Sequence, residues 1–191
     1  MLAHGERVRV RGHYAWVSSL MFLSWGISTW ALAVAIWSQV QTKACKVGLW
    51  LLVVAGVGEA MASVFDVTRE TGHGIAGLLG VAGFPMAALL LSVSLGRTAA
   101  WNGAKKTLFW LANLSWISVV LLVATLALML MQVAKANGGQ LAKDAPKSLP
   151  PGVIALDGRA NRLIVVSNCL WVLIVAWHAI KLRNRTANLP Q

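Results

Sequence analysis

Residues 74–95 read GIAGLLGVAGFPMAALLLSVSL, a run with no charged side chain anywhere in it. At ~1.5 Å per residue, a helix over this run is about 33 Å long, which matches the roughly 30 Å hydrocarbon core of a bilayer. Four more apolar runs flank it, at about 14–38, 47–65, 107–133 and 162–182. The chain is therefore expected to be all-α, a polytopic bundle of five transmembrane helices. Composition points the same way: 58% of residues are hydrophobic and only 12% are charged, whereas soluble domains carry about 25% charged residues. At 191 residues one domain over 1–191 is expected, with a polar segment at 1–13 and a Pro- and Gly-containing loop at 134–161. The segment 1–13, MLAHGERVRVRGH, has no apolar stretch of the kind a cleavable signal peptide needs.

A net charge of +11 could in principle answer to nucleic acid. The cations, however, stand in short clusters beside the apolar runs, the pattern of headgroup anchoring. The bilayer is thus the expected partner and nucleic acid is not. Cys45, placed in a short loop, and Cys169, inside an apolar run, show neither CxxC nor paired spacing, so free thiols are expected.

Helices in lipid gain nothing from the hydrophobic effect when they associate, so close contact depends on small residues. The third run supplies them. Gly72, Ala76 and Gly80 lie four apart, and Gly77, Gly80 and Gly83 three apart. This span is expected at the centre of the bundle, with a kink at Pro85, which removes a backbone donor. Trp16, Trp37, Trp50, Trp101, Trp110 and Trp177 lie near span ends, where indole suits the interface. Trp25, Trp30, Trp116 and Trp171 lie deeper and read as packing or partner-facing residues.

Orientation follows from cations in short segments against the spans. The loops at 39–46 and 96–106 and the C-terminal tail carry Lys43, Lys46, Arg97, Lys105, Lys106, Lys181, Arg183 and Arg185. The opposite side carries Arg7, Arg9, Arg11 and Arg69, and spreads the rest over the long loop and the start of the fifth span. Long loops weigh less in this rule. The C-terminus is therefore expected in the cytoplasm and the 66–73 turn on the outer face, although the three N-terminal arginines weigh the other way.

That turn is the candidate site. Asp66, Arg69, Glu70 and His73 crowd a short connection in a chain with only six acidic residues. Glu59, Ser63 and Asp66 share one helix face, with Glu59 about 10 Å deeper than Asp66. Arg162 starts the fifth span on the same side, and Asn168 lies at a depth like that of Glu59. Glu59, Asp66, Arg69, His73, Arg162 and Asn168 thus form a candidate polar cluster. Within it Asp66, His73 and Glu59 are the candidates for acid–base chemistry. Each also has a plain structural reading: Asp66 and His73 as helix-end residues, and Glu59 as a protonated group or the partner of Arg162. An ionisable residue inside a span is the hardest to explain by packing alone. No metal is expected, because the available ligands are few and no HxxxH or HExxH occurs. No cofactor is expected either; His178 could ligate a haem or chlorin but lacks a second ligand.

The stretch VFDVTRETGHGIAGLLGVAGFPMAALLLSVSL resembles the signature of a family of uncharacterised bacterial membrane proteins, domain of unknown function 998. Asp66, His73 and Pro85 match its Asp, His and Pro, and LDGRANRLIVVSNCLWVLIVAWHAIKL is similar to its last span at Gly158 and Arg162. The likeness extends over about 33–182 and is best over 63–97. It implies a bacterial inner-membrane protein of a usually six-helical fold, here without the first helix, and it brings no activity. Three classes of function remain. The expected one is an accessory or structural subunit that meets other membrane subunits or its own copies. The alternatives are an enzyme acting on a lipid or amphiphile through Asp66 and His73, and a small carrier or channel.

Overall fold

The computed structural model describes residues 15–40, 42–65, 69–139, 150 and 152–187. Within them it has five helices long and apolar enough to cross a membrane, and the chain is an integral membrane protein. The helices are α1 (Ala15–Ile36), α2 (Lys43–Ala62), α3 (Glu70–Leu95), α4 (Lys105–Ala136) and α5 (Asp157–Ala187). Neighbours in sequence are neighbours in space, and α5 returns to pack against α1, so the helices close into a ring.

α2 to α5 begin before the apolar runs that announce them and α4 and α5 also end beyond theirs, whereas α2 stops at Ala62, short of its run; α1 runs on into a short 3-10 turn, Trp37–Gln39. A polar residue does not end a helix; loss of the hydrogen-bond ladder does, and Lys and Arg stems reach headgroup depth without breaking that ladder. α2 begins at Lys43 because Thr42 caps it, its Oγ1 accepting from Cys45 N–H at 3.1 Å. Cys45 accordingly lies buried in the first turn of α2 rather than in a loop. α4 stops at the Gly138–Gly139 pair. Gly138 takes φ +70°, Gly139 N–H donates to Ala134 O at 2.8 Å and Gly138 N–H to Lys135 O at 3.3 Å. That is the Schellman ending, which needs a left-handed residue just past the helix. α5 opens with Asp157, a negative charge at the positive end of the helix dipole.

Pro85 does not interrupt α3. The ladder adjusts one turn upstream, where Leu78–Ala82 winds as a π-helix. Such a turn accommodates the carbonyl that proline leaves without its usual donor.

Close approach depends on glycine, and more of it lies on α1 and α2 than the α3 stripe alone announces. A Cβ on Gly58 would stand 2.4 Å from Gly80 N and 2.8 Å from Ala76 O. On Gly26 it would stand 2.8 Å from Gly56 O, and on Gly56 it would meet the Trp30 indole. Of the α3 stripe, Ala76, Gly80 and Gly83 face α2, while Gly77 faces open space. α2 and α3 share the centre, and α4 is the most lipid-facing helix. The core is built on Leu49, Leu52, Phe84, Leu91, Leu108 and Trp171.

Five of the six span-end tryptophans are exposed: Trp16, Trp37, Trp50, Trp110 and Trp177. Trp101 is the exception. It is 2% exposed and donates from Nε1 to Gln39 Oε1 at 2.9 Å, so it fastens the 99–101 turn to the end of α1 instead of meeting the interface. Of the deeper four, Trp171 is fully buried and Trp30 donates to Val53 O at 3.0 Å.

Candidate functional site

Glu59 lies on α2, 4% exposed, at the level where α1, α2 and the π-turn of α3 meet. Thr29 of α1 donates from Oγ1 to Glu59 Oε2 at 2.7 Å. On the α3 side Gly80 packs beside it: a Cβ there would lie in ordinary contact with Glu59 N and Cγ, 3.6 and 3.7 Å away. Oε1 is buried and has no hydrogen-bond partner among the described residues. Arg162 is exposed on α5, and among the described residues no ion pair joins it to Glu59.

Several other buried polar groups join helices, whereas Ser118 and Ser167 bond carbonyls of their own helices. Asn168 of α5 accepts from Ser115 of α4 at 2.8 Å. Trp171 of α5 donates to Ser92 Oγ of α3 at 2.9 Å, and Ser92 donates onward to Leu108 O of α4 at 3.2 Å. The Trp171 ring meets Phe84 edge-on, centroids 5.7 Å apart. Each contact satisfies a polar group that would otherwise face hydrocarbon, where an unmet hydrogen bond is expensive.

In the turn, His73 donates from Nδ1 to Phe65 O at 3.0 Å, while its own N–H donates to Arg69 O at 2.9 Å. Phe65 lies just past the end of α2, where carbonyls have lost their helical donors. His73 therefore ties the start of α3 to the end of α2 through backbone. Asp66 lies outside the described residues. Arg69 and Glu70 are exposed at the mouth of α3. The candidate cluster is thus divided among its described members: Glu59 with Thr29, Asn168 with Ser115, His73 with Phe65, and Arg162 and Arg69 facing outward. Among the described residues no three His, Cys, Asp or Glu side chains come together as metal ligands.

Thr29, Ser92 and Ser115 are the partners that sequence reasoning did not name. A hydroxyl in an apolar run carries no signal of its own, because in-helix bonds such as Ser24 Oγ to Leu20 O and Thr125 Oγ1 to Leu121 O satisfy it equally well. The nearest available hint is that a buried carboxyl on α2 requires a donor from a neighbour.

At the opposite end, His178 donates from Nε2 to Ala100 O at 3.0 Å and its ring lies 4.8 Å from that of Trp101. Here, between α1 and α5, runs a groove of about 910 Å³.

A family model described as "Protein of unknown function (DUF998)" matches residues 6–178, which take in α1 to α4 and most of α5. No curated protein and no solved structure matches the chain.

Proposed function

We propose that this chain, which belongs to the DUF998 family, is a non-catalytic subunit of a larger membrane assembly, meeting other membrane subunits or further copies of itself. The observation that carries this reading is the use made of the buried polar groups. Glu59, Asn168, Ser92 and Trp171 each bond a neighbouring helix, and His73 bonds backbone, so the described candidates converge on no common cavity. In the proposed orientation, in a bacterial inner membrane, the C-terminus is cytoplasmic and the 66–73 turn lies outside; the short cation clusters support it.

The size of the protein in its native membrane tests the proposal. Mass measurement of particles excised from the membrane without detergent is expected to give a species larger than 20.4 kDa, with stoichiometric partners or copies. A monodisperse single chain with nothing co-purifying overturns it.

One observation favours the second reading, an enzyme on an amphiphile: Glu59 Oε1 has no partner among the described residues. An ionisable group left so inside a span marks a functional position by default.

A further inference from the structure

We propose that the groove between α1 and α5 binds an anionic phospholipid, one acyl chain lying along the groove and the phosphate held at its mouth by Arg185 and Arg183. The walls are apolar and small over most of their length: Ala31, Leu32 and Ala35 from α1, and Val172, Ala176 and Ala179 from α5. Small side chains on both walls leave the space, about 910 Å³, within the usual range for small-molecule sites. Apart from Ser28 at the inner end, whose Oγ donates to Trp25 O of its own helix, polarity is gathered at one end. Ser38, Gln39 and Thr98 line that end together with the two arginines.

Depth matches a lipid. From Ser28 to Gln39 the α1 wall rises about 16 Å at the helical repeat, close to the half-thickness of a hydrocarbon core of roughly 30 Å. The α5 wall continues from Val172 to Arg185, about 20 Å, which carries the guanidinium groups to headgroup level. The upper end of the groove is a fixed platform. Trp101, which lines it, is held by Gln39 and met at a tilt by the His178 ring.

Charge settles the lipid class. Among the described residues no Asp or Glu lines the groove. The described acids lie elsewhere: Glu59 is within α2, while Glu70 and Asp157 open α3 and α5 at the far end. Arginine presents a planar fork of donors suited to phosphate. An apolar transmembrane helix would use the same small side chains, but it brings no negative charge to the mouth. This site is independent of the subunit reading and of the Glu59 region.

The test uses the full chain in nanodiscs with equal phosphatidylglycerol and phosphatidylcholine, each bearing a photoreactive group on the acyl chain. Cross-links are mapped by mass spectrometry. Labelling is expected on α1 and α5 at the groove walls, with phosphatidylglycerol preferred. Arg185→Gln should lower that preference roughly fivefold and the double change with Arg183→Gln roughly 30-fold, since each cation near an anionic headgroup contributes about one such factor. Ala176→Trp, which fills the groove and spares the arginines, should remove the groove labels for both lipids. Lys105→Gln with Lys106→Gln, an equal loss of charge on α4, should change nothing. Three outcomes overturn the proposal: equal labelling by the two lipids, labels spread evenly over the exposed face of α4, or Ala176→Trp abolishing a protein–protein contact while lipid labels persist.

Discussion

Glu59 and Thr29 make the one described side-chain bond to a carboxyl group inside the bundle. Thr29→Val keeps the shape but removes the donor, leaving a buried carboxyl with neither oxygen answered. Polar contacts between transmembrane helices contribute about 0.6 kcal/mol on average and up to roughly 1.7. A loss of about 1 kcal/mol is expected, read by unfolding in mixed micelles. Glu59→Gln retains an acceptor for Thr29 and should unfold within about 0.5 kcal/mol of the parent chain. If Glu59→Gln assembles normally but removes a cellular phenotype, the carboxyl has a function beyond packing and the enzyme reading gains. At this scale the sequence was half legible. Depth alone singled out Glu59, because an acid in a span has few uses. Its partner was hidden, because a threonine is equally content to bond its own helix.

At the scale of the element, the junction of α2 with α3 is set by backbone approaching backbone. At Gly58 the atoms that would meet a Cβ are Gly80 N, Leu79 Cβ and Ala76 O, none of which can rotate away from the main chain. Gly58→Ala is expected to push the two helices apart and to destabilise by about 1–3 kcal/mol, as overpacking does. Gly77→Ala, with nothing within 4 Å, should be neutral or stabilise by up to about 1 kcal/mol through helix propensity. Parallel denaturation curves for the two variants check the pair; equal effects would mean that α2 and α3 do not touch as described. The sequence pointed to the small residues of α3, since glycine at helical spacing in lipid has that use. It did not indicate which of them faces a neighbour, because a helix apolar on every side has no periodicity to read.

For the whole molecule, the proposed orientation has a direct check. Single cysteines at Gly103 and Gly139, in a chain with Cys45 and Cys169 replaced, lie in loops at opposite ends of the bundle and are both exposed. An impermeant thiol reagent added to intact cells should label the cysteine at 139 and spare the one at 103. The reverse pattern would turn the molecule over, moving the α1–α5 groove to the outer leaflet and the His73 turn to the cytoplasm.

Sequence by itself determined the five helices, among the described residues, that are long and apolar enough to cross a membrane, and very nearly where they lie, because a bilayer demands apolar length and internally bonded backbone, and both are written linearly. It marked Glu59 and the 66–73 turn for the same reason. What only the tertiary structure decided is who meets whom. Asn168 bonds Ser115 across α4 and α5, His73 takes a backbone carbonyl, Trp101 turns inward to Gln39, and the open groove lies at the end of the bundle away from the acidic turn. Those outcomes depend on the rotation of each helix about its axis. That rotation is set by contacts between helices, among them the glycine approaches that join α1, α2 and α3, and lipid, which accepts any apolar face, leaves no record of it in the chain.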